Sequence, residues 1–279
     1  MIAFFPVIIL ALTQGLTEFL PISSSGHLVI IHEFMNDELS ASDEKRMDIA
    51  VHMGTLLAVL IYFRADVAAL CKGGFDLICF INTNERHKVL LVIISAIPVV
   101  LCGLVVFMVD MTLFDSLYIM AWATIIFGII LYIADKRPEA SQKIETFTVK
   151  QAVLYGLAQC LALIPGVSRS GITMTAGRFM GHSRIEAARF SLLMGMVTIT
   201  AAGTLTGLDV FQDQSVTHDF IILMGVGIAV SFTAAYISII CMMKWFSSAG
   251  SMTPFAIYRV LLGVILLGVL YGDVITKYM

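Results

Sequence analysis

Six stretches of this chain are apolar for the length of a membrane span: about 47–63, 88–108, 116–135, 184–205, 219–243 and 253–272. Crossing the ~30 Å hydrocarbon core takes ~20 apolar residues in a helix, with a range of roughly 17–25. The pattern predicts six transmembrane helices. Two further apolar stretches do not fit it. Residues 2–20 break at Pro21-Ile22-Ser23-Ser24-Ser25-Gly26 and resume in a short apolar segment to Met35. Residues 151–164 break at Pro165-Gly166-Val167-Ser168-Arg169-Ser170-Gly171. Each is too short and too polar at its centre for two spans and reads as a re-entrant helix pair. Lipid cannot satisfy free N–H and C=O groups, so such turns survive at membrane depth only beside protein or water. Both are expected to line a cavity.

The two breaks are copies of one another. Laid over Gln159–Gly171 at a constant offset of 145, the segment Gln14–Gly26 matches at Gln14/Gln159, Leu16/Leu161, Ser23/Ser168, Ser25/Ser170 and Gly26/Gly171. The offset is close to half the chain. It suggests one membrane domain, 1–279, made of repeat halves 1–140 and 141–279. Loop charge agrees. Arg64, Lys72, Arg86 and Lys88 occupy the loop 64–88, and Lys136, Arg137, Lys143 and Lys150 the loop 135–150. The loops 109–115 and 206–218 contain neither Lys nor Arg. The positive-inside rule places the two basic loops in the cytoplasm and, by alternation, both termini and the acidic segment 36–44 outside. Three spans per half then invert the second half, an arrangement in which broken helices meet near the midplane.

Composition fits this picture. Hydrophobic residues make up 59% and charged residues 13%, against about 25% charged in soluble domains. Mean hydropathy is +0.94. A net charge of −3 gives no reason to expect nucleic acid. The five cysteines are scattered without a CxxC or Cys/His cluster and read as small apolar residues. Met1–Leu12 lacks a basic leader and a small-residue cleavage site, so it reads as part of the fold.

The polar residues in the breaks carry the candidate chemistry. Gln14 and Glu18, four apart, share a helix face. A carboxylate at membrane depth is costly and marks a functional candidate; a Glu paired near the surface is the plainer reading. Ser23, Ser24 and Ser25 precede a new helix that runs through His27. They can cap it, and a helix N-terminus also binds phosphate. Ser24 and His27, three apart, with Glu18 nearby, would make an activated nucleophile. The second break offers Ser168, Arg169, Ser170 and Thr173. A guanidinium in such a turn needs an anion, and its planar fork matches phosphate; snorkelling to the interface is the alternative.

Gln14-x-x-x-Glu18, Pro-Ile-Ser-Ser-Ser-Gly-His27 and Pro165-Gly-Val-Ser-Arg-Ser-Gly-Ile-Thr173 together resemble the undecaprenyl-diphosphate phosphatase family of the BacA type. The similarity extends to Pro254-Phe-Ala-Ile-Tyr-Arg259. Where the family's first motif carries Glu or Gln, this chain has Gln14, which leaves Glu18 as the firmer ligand. The resemblance implies dependence on a divalent cation, an active site facing the outer side of the bacterial inner membrane, and recycling of the lipid carrier of cell-wall synthesis. It sets the expected reaction: hydrolysis of a polyprenyl diphosphate within the bilayer. Arg169 would clamp the diphosphate; Ser23, Ser25, Ser168, Ser170 and Thr173 would hold phosphate. Glu18, with Gln14, would position Mg²⁺ or Ca²⁺, Ser24 would attack and His27 would move the proton. Ser24, His27 and metal-bound water all remain candidates for the nucleophile. Inverted repeats with broken helices also build secondary transporters, so a transporter or flippase with an anion site is the alternative. His52 and Arg259 could line the same cavity or pair within the bundle. Gly203-x-x-x-Gly207 fits a helix-packing motif, weakly suggesting a homodimer.

Overall fold

The computed structural model describes residues 4–35, 41–109, 116–140, 143–212 and 217–278. Helices follow one another as α1 (Phe4–Thr17), α2 (Ser24–Met35), α3 (Ala41–Tyr62), α4 (Arg64–Ile78), α5 (Asn84–Val109) and α6 (Leu117–Asp135). After a short 3₁₀ turn come α7 (Val149–Cys160), α8 (Arg169–Phe179), α9 (Arg184–Gln212), α10 (His218–Ser247) and α11 (Thr253–Tyr278). No named strand occurs among the described residues. The six expected spans fall on α3, α5, α6, α9, α10 and α11. Of these, α5, α6, α10 and α11 are each long and apolar enough to cross a membrane. The most apolar window of α5 is only 22% buried, so the rest of that helix needs an apolar solvent. The architecture is that of an all-helical, multi-pass membrane protein.

Each of the two breaks separates two short helices. α1 and α2 have 14 and 12 residues, α7 and α8 have 12 and 11. At 1.5 Å per residue none exceeds about 21 Å, so none spans alone. α1 lies against α10, and its counterpart α7 lies against α5. Gly15 makes the first contact close, since a Cβ there would sit 2.6 Å from the Ser231 carbonyl oxygen. α3 packs on α9 and α6 on α11, bringing the two halves together. Phe19, Leu131, Phe147, Tyr155 and Phe190 belong to one buried cluster.

The loop expected over 64–88 is largely helical. α4 turns 87° from α3 and buries Asp66, Gly73 and Asp76. Its charges interrupt the apolar pattern, which hid the helix, while Phe75, Ile78 and Phe80 remain exposed. α9 also continues past 205 into the expected loop. The loop 109–115 falls almost wholly outside the described residues, as do 36–40 and 213–216.

Both Lys/Arg-rich segments lie at one end of the bundle. Lys88 bonds Asp66 at 3.0 Å and pairs with Glu145 at 3.3 Å, and Arg189 joins them, 2.7 Å from Asp66. His87 Nε2 lies 2.9 Å from the Phe147 carbonyl oxygen. Nearby, the fully buried Arg178 donates to the His182 and Asp135 carbonyls, and Arg184 reaches Asp135 at 2.6 Å. Buried cations of this kind persist only with such partners. The pocket described next is lined near the opposite end of α3.

Candidate active site

The two breaks are copies in backbone as well as in sequence. Ser23 and Ser168 both adopt left-handed φ, 72° and 68°, which L-residues other than Gly adopt at a cost of order 1–2 kcal/mol. The next residue opens a helix in each case, α2 at Ser24 and α8 at Arg169. Ser23 Oγ lies 3.3 Å from Ser25 Oγ, and Ser168 Oγ lies 3.2 Å from Ser170 Oγ. Ser168 also caps α8 by accepting from the Gly171 N–H at 3.1 Å. Ser170 Oγ donates to the Leu20 carbonyl at 2.9 Å, tying the second turn to the first. Thr173, fully buried, is bonded to the Arg169 carbonyl and to Ser191.

Both turns open onto one cavity of about 460 Å³, walled on its other sides by α3 and α9. Glu18 is its hub, one residue beyond α1 and buried. Its Oε1 accepts from Arg169 Nη2 at 2.7 Å. Its Oε2 accepts from Ser24 Oγ at 2.7 Å and Gln14 Nε2 at 2.9 Å. The first residue of α2 and the first of α8 thus meet on one carboxylate. Arg169 Nη1 donates to Thr198 Oγ1 at 2.8 Å and the Gly195 carbonyl at 3.1 Å. Gly195 leaves the room this needs: a Cβ there would lie 3.0 Å from Arg169 Cζ. Taking a charged pair out of water costs several kcal/mol per ion unless the remaining hydrogen-bonding groups are satisfied. Here they are.

One expected contact is absent. His27 does not join Ser24 and Glu18. Its Nδ1 lies 2.7 Å from the Ser23 carbonyl oxygen and its Nε2 2.6 Å from the Tyr258 hydroxyl. The spacing of three correctly puts Ser24 and His27 on one turn of α2, but Ser24 bends back to Glu18. The imidazole beside the carboxylate is His52 on α3. Its Nδ1 donates to the Asp48 carbonyl at 2.6 Å, and its Nε2 stands 3.7 Å from Glu18 Oε2. Arg259 does not line the cavity. It is fully buried and donates to the Gly166 and Val167 carbonyls, each at 2.8 Å. Gly203 faces Met53 of α3 within the chain.

Sequence reasoning missed Lys45, Asp48 and Thr198. Lys45, Asp48, Ile49 and His52 line the cavity from one stripe of α3 at helical spacing. That spacing was the available signal, obscured because the expected span began at 47 and left Lys45 outside it. Asp48 accepts from His32 at 2.9 Å.

The donor set bears on a divalent cation. No group of three or more His, Cys, Asp or Glu side chains placed to hold a metal ion occurs among the described residues. Glu18 is nevertheless joined by Gln14, whose Oε1 is buried without a partner. One carboxylate and one spare amide oxygen suit a hard cation that takes its other ligands from phosphate and water, as Mg²⁺ commonly does. They do not make a closed structural site.

Comparison with known proteins reaches the same motifs. The family model described as bacitracin resistance protein BacA matches residues 7–265. A protein named undecaprenyl-diphosphatase from Dinoroseobacter shibae is 42% identical over 275 residues, covering 96% of this chain and 99% of its own. One of the same name from Aliivibrio salmonicida is 43% identical over 266 residues, covering 95% and 97%. With the match running through both serine turns and into α11, this chain belongs to the BacA family.

Proposed function

We propose that the protein hydrolyses undecaprenyl diphosphate to undecaprenyl phosphate and inorganic phosphate, recycling the lipid carrier of cell-wall synthesis. The observation that carries this reading is the hydroxyl of Ser24 donating to a carboxylate that also holds Arg169. That is a nucleophile, its base and an anion-binding fork in one cavity. Ser24 Oγ attacks the terminal phosphorus as its proton passes to Glu18. The bridging P–O bond breaks, and its electron pair leaves with the lipid phosphate. Water then attacks the phosphoserine, releasing inorganic phosphate and returning the proton to Ser24. Arg169 and the N–H groups opening α2 and α8 take up phosphate charge, and Ser23, Ser25, Ser168 and Ser170 orient those turns. Phosphoryl transfer asks chiefly for such positioning and charge stabilisation. Glu18 and Gln14 would hold Mg²⁺ or Ca²⁺, which supplies further positive charge to the phosphate oxygens. His27, with both ring nitrogens engaged, takes no part in this proton path. A transporter's anion site has no use for a hydroxyl held against a carboxylate.

The finer architecture belongs to the same proposal: a single domain of six spans and two re-entrant pairs, its halves 1–140 and 141–279 related by inversion. The matched turns and the paired contacts α1/α10 and α7/α5 support it. The cavity faces the outer side of the bacterial inner membrane. Lys45 precedes Arg64, at the basic end, by 19 residues of near-continuous helix, or about 28 Å. That is close to the ~30 Å hydrocarbon thickness. Single cysteines at positions 80 and 143, in a chain without other cysteines, should resist an impermeant thiol reagent in intact cells; ready labelling of both reverses the orientation. The test of function is phosphate release from undecaprenyl diphosphate by the purified protein in detergent. Binding of the lipid without turnover by any preparation, with metal supplied, would move the assignment to transport.

A further inference from the structure

Two consecutive residues of α11 each hold one of the serine turns. Tyr258 stacks on His27 with ring planes 6° apart and centroids 5.7 Å apart. Its hydroxyl lies 2.6 Å from His27 Nε2. His27 Nδ1 in turn lies 2.7 Å from the Ser23 carbonyl oxygen. Because Nδ1 can meet a carbonyl only as a donor, a neutral ring accepts the Tyr258 proton at Nε2. Arg259, the next residue, donates from Nη2 to the carbonyls of Gly166 and Val167. Its Nη1 fills the space over Gly171, where a Cβ would approach to 2.6 Å.

These carbonyls flank the two left-handed residues, Ser23 and Ser168. The peptide is planar and trans, so its C=O and N–H point opposite ways. Holding the Ser23 carbonyl therefore aims the Ser24 N–H away from His27. Holding the Val167 carbonyl aims the Ser168 N–H away from Arg259. Strained backbone persists only where its surroundings over-determine it, and α11 supplies that constraint for both turns.

We infer that Tyr258, acting through His27, and Arg259 are positioning residues: one helix fixes the nucleophile's turn and the guanidinium's turn relative to each other. Neither touches the reacting atoms. His27 transmits a hydrogen bond and carries no proton to or from Ser24.

The inference rests on the reading of Ser24 as nucleophile, so wild type and Ser24→Ala are assayed alongside. Phosphate release by wild type that Ser24→Ala abolishes keeps that reading; its persistence in Ser24→Ala removes the reading by itself, whatever Tyr258 does. The decisive variants are Tyr258→Phe, His27→Asn, His27→Ala and Arg259→Lys, each with a thermal melt and with kcat and KM over pH. Tyr258→Phe keeps the stacked ring and loses one hydrogen bond. It should lower kcat roughly five- to tenfold, the scale of one such bond, with KM within about twofold. The amide nitrogen of Asn occupies the place of Nδ1 but offers nothing to Tyr258, so His27→Asn should fall about as far as Tyr258→Phe and clearly less than His27→Ala, with both limbs of the pH profile intact. Tyr258→Phe should add nothing in the His27→Ala background. Arg259→Lys, which keeps the charge but not the two-carbonyl grip, should lower kcat and raise KM together, because its turn bears Arg169.

If His27→Asn is as inactive as His27→Ala and a pH limb vanishes, the imidazole moves protons and the inference is wrong. Full activity in Tyr258→Phe, or losses that multiply in the double variant, removes the link from Tyr258 through His27. Arg259→Lys with unchanged kcat and KM removes the other arm. Should Tyr258→Phe fail to fold, the contrast between His27→Asn and His27→Ala still decides.

Discussion

The two serine turns share a backbone but present different side chains to one carboxylate. In both, a left-handed serine precedes a helix whose first residue reaches Glu18. In the first turn that residue is Ser24, the proposed nucleophile, whose hydroxyl donates to the carboxylate. In the second it is Arg169, the proposed anion binder, whose guanidinium pairs with it. Glu18 itself has no counterpart, since Leu163 stands 145 residues on, and His27 corresponds to Ile172. The common part of the pattern is therefore scaffold: a strained turn that aims the side chain following it at Glu18. What differs is chemistry. A single carboxylate serves both turns because Ser24 and Arg169 converge on it.

The largest effects should fall on residues that lack a counterpart. Glu18→Gln removes the charged partner of Arg169 and, in the proposed mechanism, the base for Ser24 and the metal ligand. Loss of turnover on the order of 10³ or more is expected, as for other groups that act as a unit, with the protein still folded. Leu163→Ala, at the matched position, should stay within about twofold, because no charge depends on it. Comparable losses in both would dissolve the contrast between the turns. Chelation should silence the wild type as thoroughly as Glu18→Gln, with Mg²⁺ or Ca²⁺ restoring only the wild type. A metal-stripped enzyme at full rate would leave Glu18 as base alone. Ser24→Ala should be nearly inactive too, and a trapped phosphoenzyme should be acid-stable and base-labile. An acid-labile one would implicate His27 instead.

Arg169→Lys comes next, at roughly 10² in kcat, the scale of losing one oriented charged donor. The structure sharpens the reason. One terminal nitrogen holds Glu18 and the other holds Thr198 and the Gly195 carbonyl, and a single ammonium cannot keep both sides. A kcat within about threefold of wild type, an effect below 1 kcal/mol, would reduce Arg169 to a binding charge. Gly195→Ala tests the same fork from outside, pressing a Cβ to within 3.0 Å of Cζ. About tenfold lower kcat is expected from a shift of a few tenths of an ångström, since a full ångström can cost about 10². An unchanged kcat would mean that the guanidinium has slack.

Much of this was legible in the sequence because membranes impose strict rules. Span length, the ban on loose backbone and the Lys/Arg bias all act on composition, so the six long helices and the two breaks follow from it. Gln14, Glu18, Ser24 and Arg169 followed too, because polar groups at that depth are expensive. Side-chain direction was not legible. His27 has the spacing to face Ser24, yet the stacked ring of Tyr258, 231 residues away, draws it off. His52 entered the site because α3 packs across the first turn, a tertiary fact. α4 escaped because its charges, two of them bound in ion pairs with other segments, read as loop.

The smallest expected effect concerns the walls of the cavity. The second half contributes Arg169, but Glu18 neutralises it. The first half contributes Asp48, which accepts from His32, and the exposed Lys45. For a ligand with at least two negative charges, Lys45 is thus the cavity cation that Glu18 does not hold. An exposed charge acts through solvent, so Lys45→Met should raise KM only about two- to fivefold. Ground-state attraction alone leaves kcat alone. The effect should also fade as salt rises, because the screening length shrinks from about 10 Å at 0.1 M to 3 Å at 1 M. Arg169, partly buried and paired with Glu18, should show a much weaker salt dependence. Lys45→Arg should restore KM, which separates charge from shape. If Lys45→Met leaves KM unchanged at low ionic strength, substrate is drawn in by the turns alone. If kcat falls instead, Lys45 reaches the transferring phosphate, and the division between a capturing first-half wall and a catalytic second-half guanidinium does not hold.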